Sequence, residues 1–164
     1  VTLRSLTDAR MAGLVREAET LARQAAEKLM PISLELGGKS PTIVFADADI
    51  DLAIAGVLFG VFSSSGQSCI AGSRLFVERS IYDSFVARLV EATNALVVGD
   101  PFDERTQVAP LVHFDHRDAV ANQVAAAVEA GAEILCGGAI PQGDQFLAQG
   151  LVVIDAAVEG DGQP

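Results

Sequence analysis

Apolar positions recur at helical spacing over residues 7–30, where Leu14, Ala18, Leu21, Ala25 and Leu29 share one stripe and Arg16, Glu19, Arg23 and Glu27 lie off it. That spacing predicts a helix stopped by Pro31. The pattern then shortens to β-rich runs at residues 32–36 and 42–45 on either side of Gly37-Gly38. A strand, a tight turn and a strand are expected there, with Glu35 at a strand end. Asp47, Asp49 and Asp51 precede a long apolar run. Acidic residues favour a helix N-terminus, so residues 50–62 are expected to form a buried helix leading into a loop around Cys69. Residues 74–78 read as a strand. Ser80, with Asp83 three residues on, has the spacing of a capping box, opening a helix to about residue 97 with Ile81, Phe85, Leu89, Ala92 and Leu96 inward. Gly99-Asp100-Pro101 breaks that pattern, and a further helix is expected over residues 115–130, capped by Gly131. A strand at 132–136, a Gly137-Gly138 turn and a last strand at 151–154 complete the chain before a polar tail. Strands alternating with helices predict an α/β fold, a mostly parallel sheet with flanking helices.

Composition narrows the class. At 164 residues the chain is at most one domain. Half of it is hydrophobic and only 20% charged, which points to apolar surface that expects a partner. The net charge of −11 is scattered, so neither nucleic acid nor an anionic membrane surface is an expected partner. Residues 52–73 carry no charge, but the polar run from Ser63 to Ser68 is unsuited to lipid and argues against a membrane span. Cys69 and Cys136 lack metal-ligand spacing, and the chain does not open on a secretory pattern. A reducing cytoplasm is the expected compartment.

Two segments carry candidate chemistry. In Ser65-Gly66-Gln67-Ser68-Cys69-Ile70-Ala71-Gly72-Ser73-Arg74 a thiol sits among Gly, Ser and Gln, where backbone amides can approach a developing oxyanion. In Leu34-Glu35-Leu36-Gly37-Gly38-Lys39-Ser40-Pro41 a carboxyl that can serve as a base lies just before an expected tight Gly-Gly turn, with Leu36 between. Cys136, beside Ile134 and Leu135, reads as a core residue instead. Asp47, Asp49 and Asp51 read as helix caps rather than a metal cluster, Lys39 as a turn-side charge, and His113 and His116 as ordinary exposed residues.

Both segments, in this order, resemble the general-base and nucleophile signatures of the aldehyde dehydrogenases, and the resemblance extends from about residue 29 to 153. It implies a partial aldehyde dehydrogenase catalytic domain over residues 31–164, preceded at 1–30 by a divergent helical segment where a cofactor domain would end. It further implies a Cys69 nucleophile and a Glu35 general base within reach of each other. Leu36 and Gly37 would lie near the nicotinamide of NAD or NADP, and Gln67, Ser68 and Ile70 beside the aldehyde. The expected reaction is oxidation of an aldehyde to a carboxylic acid through a Cys69 thiohemiacetal and thioester. Full members of the family are much longer, and this chain has no glycine-rich dinucleotide turn of the expected kind; Val1 to Leu6 do not match the family there. Low activity of the isolated chain is therefore expected, with other aldehyde dehydrogenase chains or a missing half as possible partners. Two alternatives stand beside this reading: an inactive remnant acting as an interaction module, and a cofactor-independent thiol esterase.

Overall fold

The computed structural model describes residues 8–139 and 153–155. Val1 to Thr7, which include the divergent opening and the first residue of the expected helix, lie outside the described residues, as do Leu151 and Val152 of the last expected strand. The chain divides into two compact units, Val1–Leu36 and Gly37–Pro164.

The first unit is built on one helix, α1 (Asp8–Glu27). It ends before Pro31 is reached. Met30 N–H donates to Ala25 O and Leu29 N–H to Ala26 O, closing the helix through Leu29 in a left-handed conformation (φ +52°). The expected strand at 32–36 does not form. Ile32, Leu34 and Leu36 are exposed, and a β-rich run without a neighbouring strand has nowhere to direct its backbone hydrogen bonds. Glu35 thus sits in an extended, exposed segment rather than at a strand end. Gly37-Gly38 makes no tight turn either: both lie in a continuous stretch, residues 31–40, without a turn.

The second unit begins with a βαβ arrangement. Strand β1 (Pro41–Val44) pairs in parallel with β2 (Arg74–Val77), Pro41 opposite Arg74 and Val44 opposite Val77, and helix α2 (Ile50–Phe62) with a 3₁₀ turn (Ser63–Gly66) connects them. Asp49 caps α2 by accepting a hydrogen bond from Leu52 N–H, as the acidic cluster predicts. Val44, Ile54 and Val57 meet Phe85 and Leu89 of helix α3 (Tyr82–Asn94) in the core, where Phe85 is fully buried. One face of α2 is covered and the other is not. Leu52 and Phe59 are exposed, Phe59 by 76%, so α2 is half-buried rather than buried as its composition suggests.

The start of α3 also differs from expectation. Ser80 lies in a short 3₁₀ turn (Arg79–Ile81), and its hydroxyl donates to Glu78 Oε1 instead of capping the helix. Glu78 has the stronger role: its Oε2 accepts from Ala46 N–H while its own N–H donates to Val44 O, which ties the ends of β1 and β2 together. Helix α4 (Phe114–Glu129) is capped by His113, whose Nδ1 accepts from Asp115 N–H; expected as an ordinary exposed residue, it is half-buried and closes the helix start. Gly131, at φ +98°, closes α4 as predicted. Strand β3 (Glu133–Cys136) pairs with β4 (Val153–Asp155) in antiparallel fashion, with an irregularity between Ile134 and Cys136. The α/β class holds, with helices flanking a small parallel sheet, but the second pair runs the other way. Among the described residues no helix is long and apolar enough to cross a membrane, and no group of metal-ligating side chains assembles.

Candidate active site

The loop from the end of α2 to β2 places Cys69 on the surface. Its backbone is unusual. Ser64 (φ +54°), Ser65 (φ +55°) and Gly66 (φ +72°) follow one another in the left-handed region, which L-residues other than glycine avoid. Strain of this kind persists only where the surroundings over-determine it, and it concentrates at functional sites. Here the surroundings are visible. The buried Ser65 hydroxyl donates to Ala109 O at 2.6 Å. The Gln67 side chain donates to Ser64 O at 3.2 Å and accepts from Val112 N–H at 3.2 Å.

Beyond the turn, Ala71 N–H donates to Ser68 O and Gly72 N–H reaches back to Gly60 O in α2. Among the described residues, none of the hydrogen bonds uses the backbone N–H of Ser68, Cys69 or Ile70. Three consecutive donors are thus left without an acceptor among the described residues, the property an oxyanion-binding loop needs. Ser68 is half-buried, and Ile70 and Gln67 are exposed beside Cys69.

The Gly37–Thr42 stretch runs alongside this loop and explains two glycines. A Cβ on Gly38 would fall 2.8 Å from the carbonyl oxygen of Cys69, so only glycine lets the two backbones approach this closely. A Cβ on Gly72 would collide with Thr42 Oγ1. Arg74 fastens the pair: its Nε donates to Lys39 O at 2.8 Å and its backbone N–H to Ser40 O. Lys39 thus contributes its carbonyl, and residues 38–40 of the first segment meet the second in backbone contact.

The residues singled out in the sequence divide as follows. Gln67, Ser68, Cys69 and Ile70 share one loop, and Gly37 opens the same unit with no atom within 4 Å of the position a Cβ would take. Glu35 and Leu36 close the first unit, both exposed. Cys136, only 9% exposed, lies at the end of β3 as a core residue. Sequence reasoning missed Ser65, Gly38 and Arg74 as supports of the thiol. The Ser63-Ser64-Ser65-Gly66 run was the available signal, since small polar residues and glycine mark backbone in uncommon conformations.

A βαβ unit whose connecting helix leads to an exposed thiol on a braced, left-handed loop defines an α/β protein with Cys69 as its candidate reactive group. Comparison gives the family. The aldehyde dehydrogenase family model matches residues 9–158, and the chain belongs to that family. The betaine aldehyde dehydrogenase of Sinorhizobium fredii is 47% identical over 131 residues, covering 80% of this chain and 27% of that protein. Among solved structures, PnpE in complex with nicotinamide adenine dinucleotide superposes with a TM-score of 0.78 at 34% identity, covering 86% of this chain and 30% of PnpE. The Staphylococcus aureus betaine aldehyde dehydrogenase, in complex with NAD+, gives 0.75 at 35% identity, covering 85% and 28%. The chain therefore spans less than a third of the length of these relatives.

Proposed function

We propose that this chain carries the thiol half of an NAD- or NADP-dependent aldehyde oxidation, with Cys69 as nucleophile and Glu35 as general base. The observation that carries the reading is the exposed Cys69 on a left-handed loop braced by Ser65 and Gln67, with three adjacent N–H groups that no described residue engages. The Cys69 thiolate adds to the aldehyde carbon, and the N–H groups of this loop can donate hydrogen bonds to the oxygen as it gains negative charge. When bound, a nicotinamide supplies the acceptor for the hydride whose loss leaves a thioester on Cys69. Glu35 takes a proton from the water that attacks this thioester, which releases the carboxylic acid and returns the thiol. Ser68 and Ile70, with Gln67 next to them, are the side chains proposed to border the aldehyde.

Leu36 and Gly37 suit the nicotinamide end of the cofactor: Leu36 is 70% exposed and the α-carbon of Gly37 faces open space. That fit is local, and the chain's own chemistry is proposed to reach the thiol adduct more readily than sustained turnover. A further segment or chain of the family is the proposed partner that completes cofactor binding, in the reducing cytoplasm that an unpaired surface thiol suits. The relatives' names make betaine aldehyde with NAD the first pair to assay. NADH production by the purified chain, alone and with Cys69→Ala, tests the reading. Little or no NADH from the chain alone is expected; rapid turnover that survives Cys69→Ala would overturn the assignment.

A further inference from the structure

The left-handed run at Ser64, Ser65 and Gly66 has to be held by something, and the hydrogen bonds that hold it lead to one place. Ser65 Oγ bonds Ala109 O, and Gln67 Oε1 bonds Val112 N–H, so both side chains fasten the nucleophile loop to residues 109–112. That segment is itself firmly seated. Val108 and Leu111 are buried, Val108 N–H donates to Val97 O, and Gly99 N–H donates to Val108 O, which anchors it to the chain leaving α3. At its other end Gln67 donates to Ser64 O inside the strained turn, so one side chain spans from the turn to the anchor. Both ends of the Gln67 amide are thereby engaged by backbone.

We propose that Ser65 and Gln67 are positioning residues for the thiol: together they strap the Cys69 loop to residues 109–112 and fix the orientation of the backbone around Cys69. The assignment of Cys69 as the reacting group rests on the function proposed above, whereas the strap is a property of the loop itself. Without the strap, Ser64 and Ser65 gain by returning to right-handed conformations, and the backbone of Ser68, Cys69 and Ile70 loses its fixed orientation with them. A sulfur held in one orientation meets a reagent in a productive geometry more often than one that samples several, so alkylation slows when the strap is removed.

The test uses the whole chain and peptide-resolved mass spectrometry of iodoacetamide labelling under native conditions. Ser65→Ala removes one bond and Gln67→Met removes two while keeping the length of the side chain. Each is expected to slow labelling of Cys69 by about threefold to tenfold. The double variant is expected to be little slower than the slower single one, because both bonds hold the same turn. Val57→Ala, in the core cluster with Val44, Ile54, Phe85 and Leu89 and outside the hydrogen bonds of the strap, serves as the control for a merely structural role: it lowers the urea midpoint and leaves the Cys69 rate within about twofold. Cys69 is already exposed, so general loosening does not speed its labelling. Unchanged Cys69 rates in both single variants, or an equal change in Val57→Ala, would overturn the proposal. Protection of Cys69 by an aldehyde in the unsubstituted chain is read separately. If the strap variants slow labelling but no aldehyde protects, the strap stands and the proposed function falls.

Discussion

Replacing Gly38 by alanine places a methyl group against the backbone of the proposed nucleophile, and its effect can be worked out from one distance. The new Cβ would lie 2.8 Å from the Cys69 carbonyl oxygen. A comfortable carbon–oxygen contact needs about 3.3 Å, so roughly 0.5 Å of movement is required. The obstructing atom belongs to backbone, and that backbone is tied on both sides: Arg74 fastens the 39–40 carbonyls, and Ser65 and Gln67 fasten the loop. Neither side can yield without loosening a hydrogen bond. Overpacking of this kind costs about 1–3 kcal/mol. A misplacement near 1 Å at a reacting group can cost about 10²-fold in rate, so half that distance corresponds to about tenfold. Gly38→Ala should therefore lower the urea midpoint and change the alkylation rate of Cys69 by about that factor. Gly37→Ala is the internal comparison, because no atom lies within 4 Å of its added Cβ and its φ is not left-handed. It should change stability by less than about 0.5 kcal/mol and leave Cys69 labelling alone. Urea unfolding followed by circular dichroism, with mass-spectrometric labelling, reads both. A Gly38→Ala variant as stable and as reactive as the unsubstituted chain would refute the close-approach reasoning, as would a larger effect from Gly37→Ala.

Thr93 is buried in α3, and its hydroxyl has no hydrogen-bond partner among the described residues. Thr93→Val removes that hydroxyl at constant shape and should stabilise the chain by about 1 kcal/mol in urea unfolding; destabilisation would mean that the hydroxyl is satisfied. The Glu78 carboxyl is held below the ordinary glutamate value of 4.5, first by the Ala46 N–H and then by the Ser80 hydroxyl. A folded-state value below the unfolded one makes the ionised carboxylate stabilising above about pH 4.5, and this contribution is lost as pH falls through the lower folded value. Glu78→Gln should therefore lower the urea midpoint at pH 7, and the gap to the unsubstituted chain should close in acid. A gap that widens as pH falls would reverse the sign of this argument.

Where local rules decide, the sequence was legible. The Asp49 cap, the bounds of α2 and the glycine that ends α4 all follow from short-range physics, and each stands where the residues indicate. The inner face of α3 was equally readable, because Phe85 and Leu89 recur at helical spacing. What escaped was whatever depends on a distant partner. Residues 32–36 have the composition of a strand but no neighbour to pair with, and β3 and β4 run antiparallel although alternation suggested otherwise. Ser80 matched a capping box, yet α3 starts one residue late for it, with Ile81 at the N-cap, and the Ser80 hydroxyl donates to Glu78. Family motifs pointed to Cys69 from its neighbours in sequence, whereas the features that hold it in place come from far away in the chain: Ala109, Val112 and Gly38. Glycine beside a nucleophile reads as flexibility in a sequence; at Gly38 it is room for a carbonyl.

The account turns on Cys69 being the group that meets an aldehyde, and competitive labelling tests this most directly. Brief iodoacetamide treatment of the folded chain, with and without betaine aldehyde, is followed by peptide mapping of Cys69 and Cys136. The account predicts that the exposed Cys69 is labelled first, that increasing aldehyde slows its labelling to a plateau, and that the buried Cys136 is indifferent to aldehyde. Earlier labelling of Cys136, or a Cys69 rate that does not respond to any aldehyde offered, would contradict it.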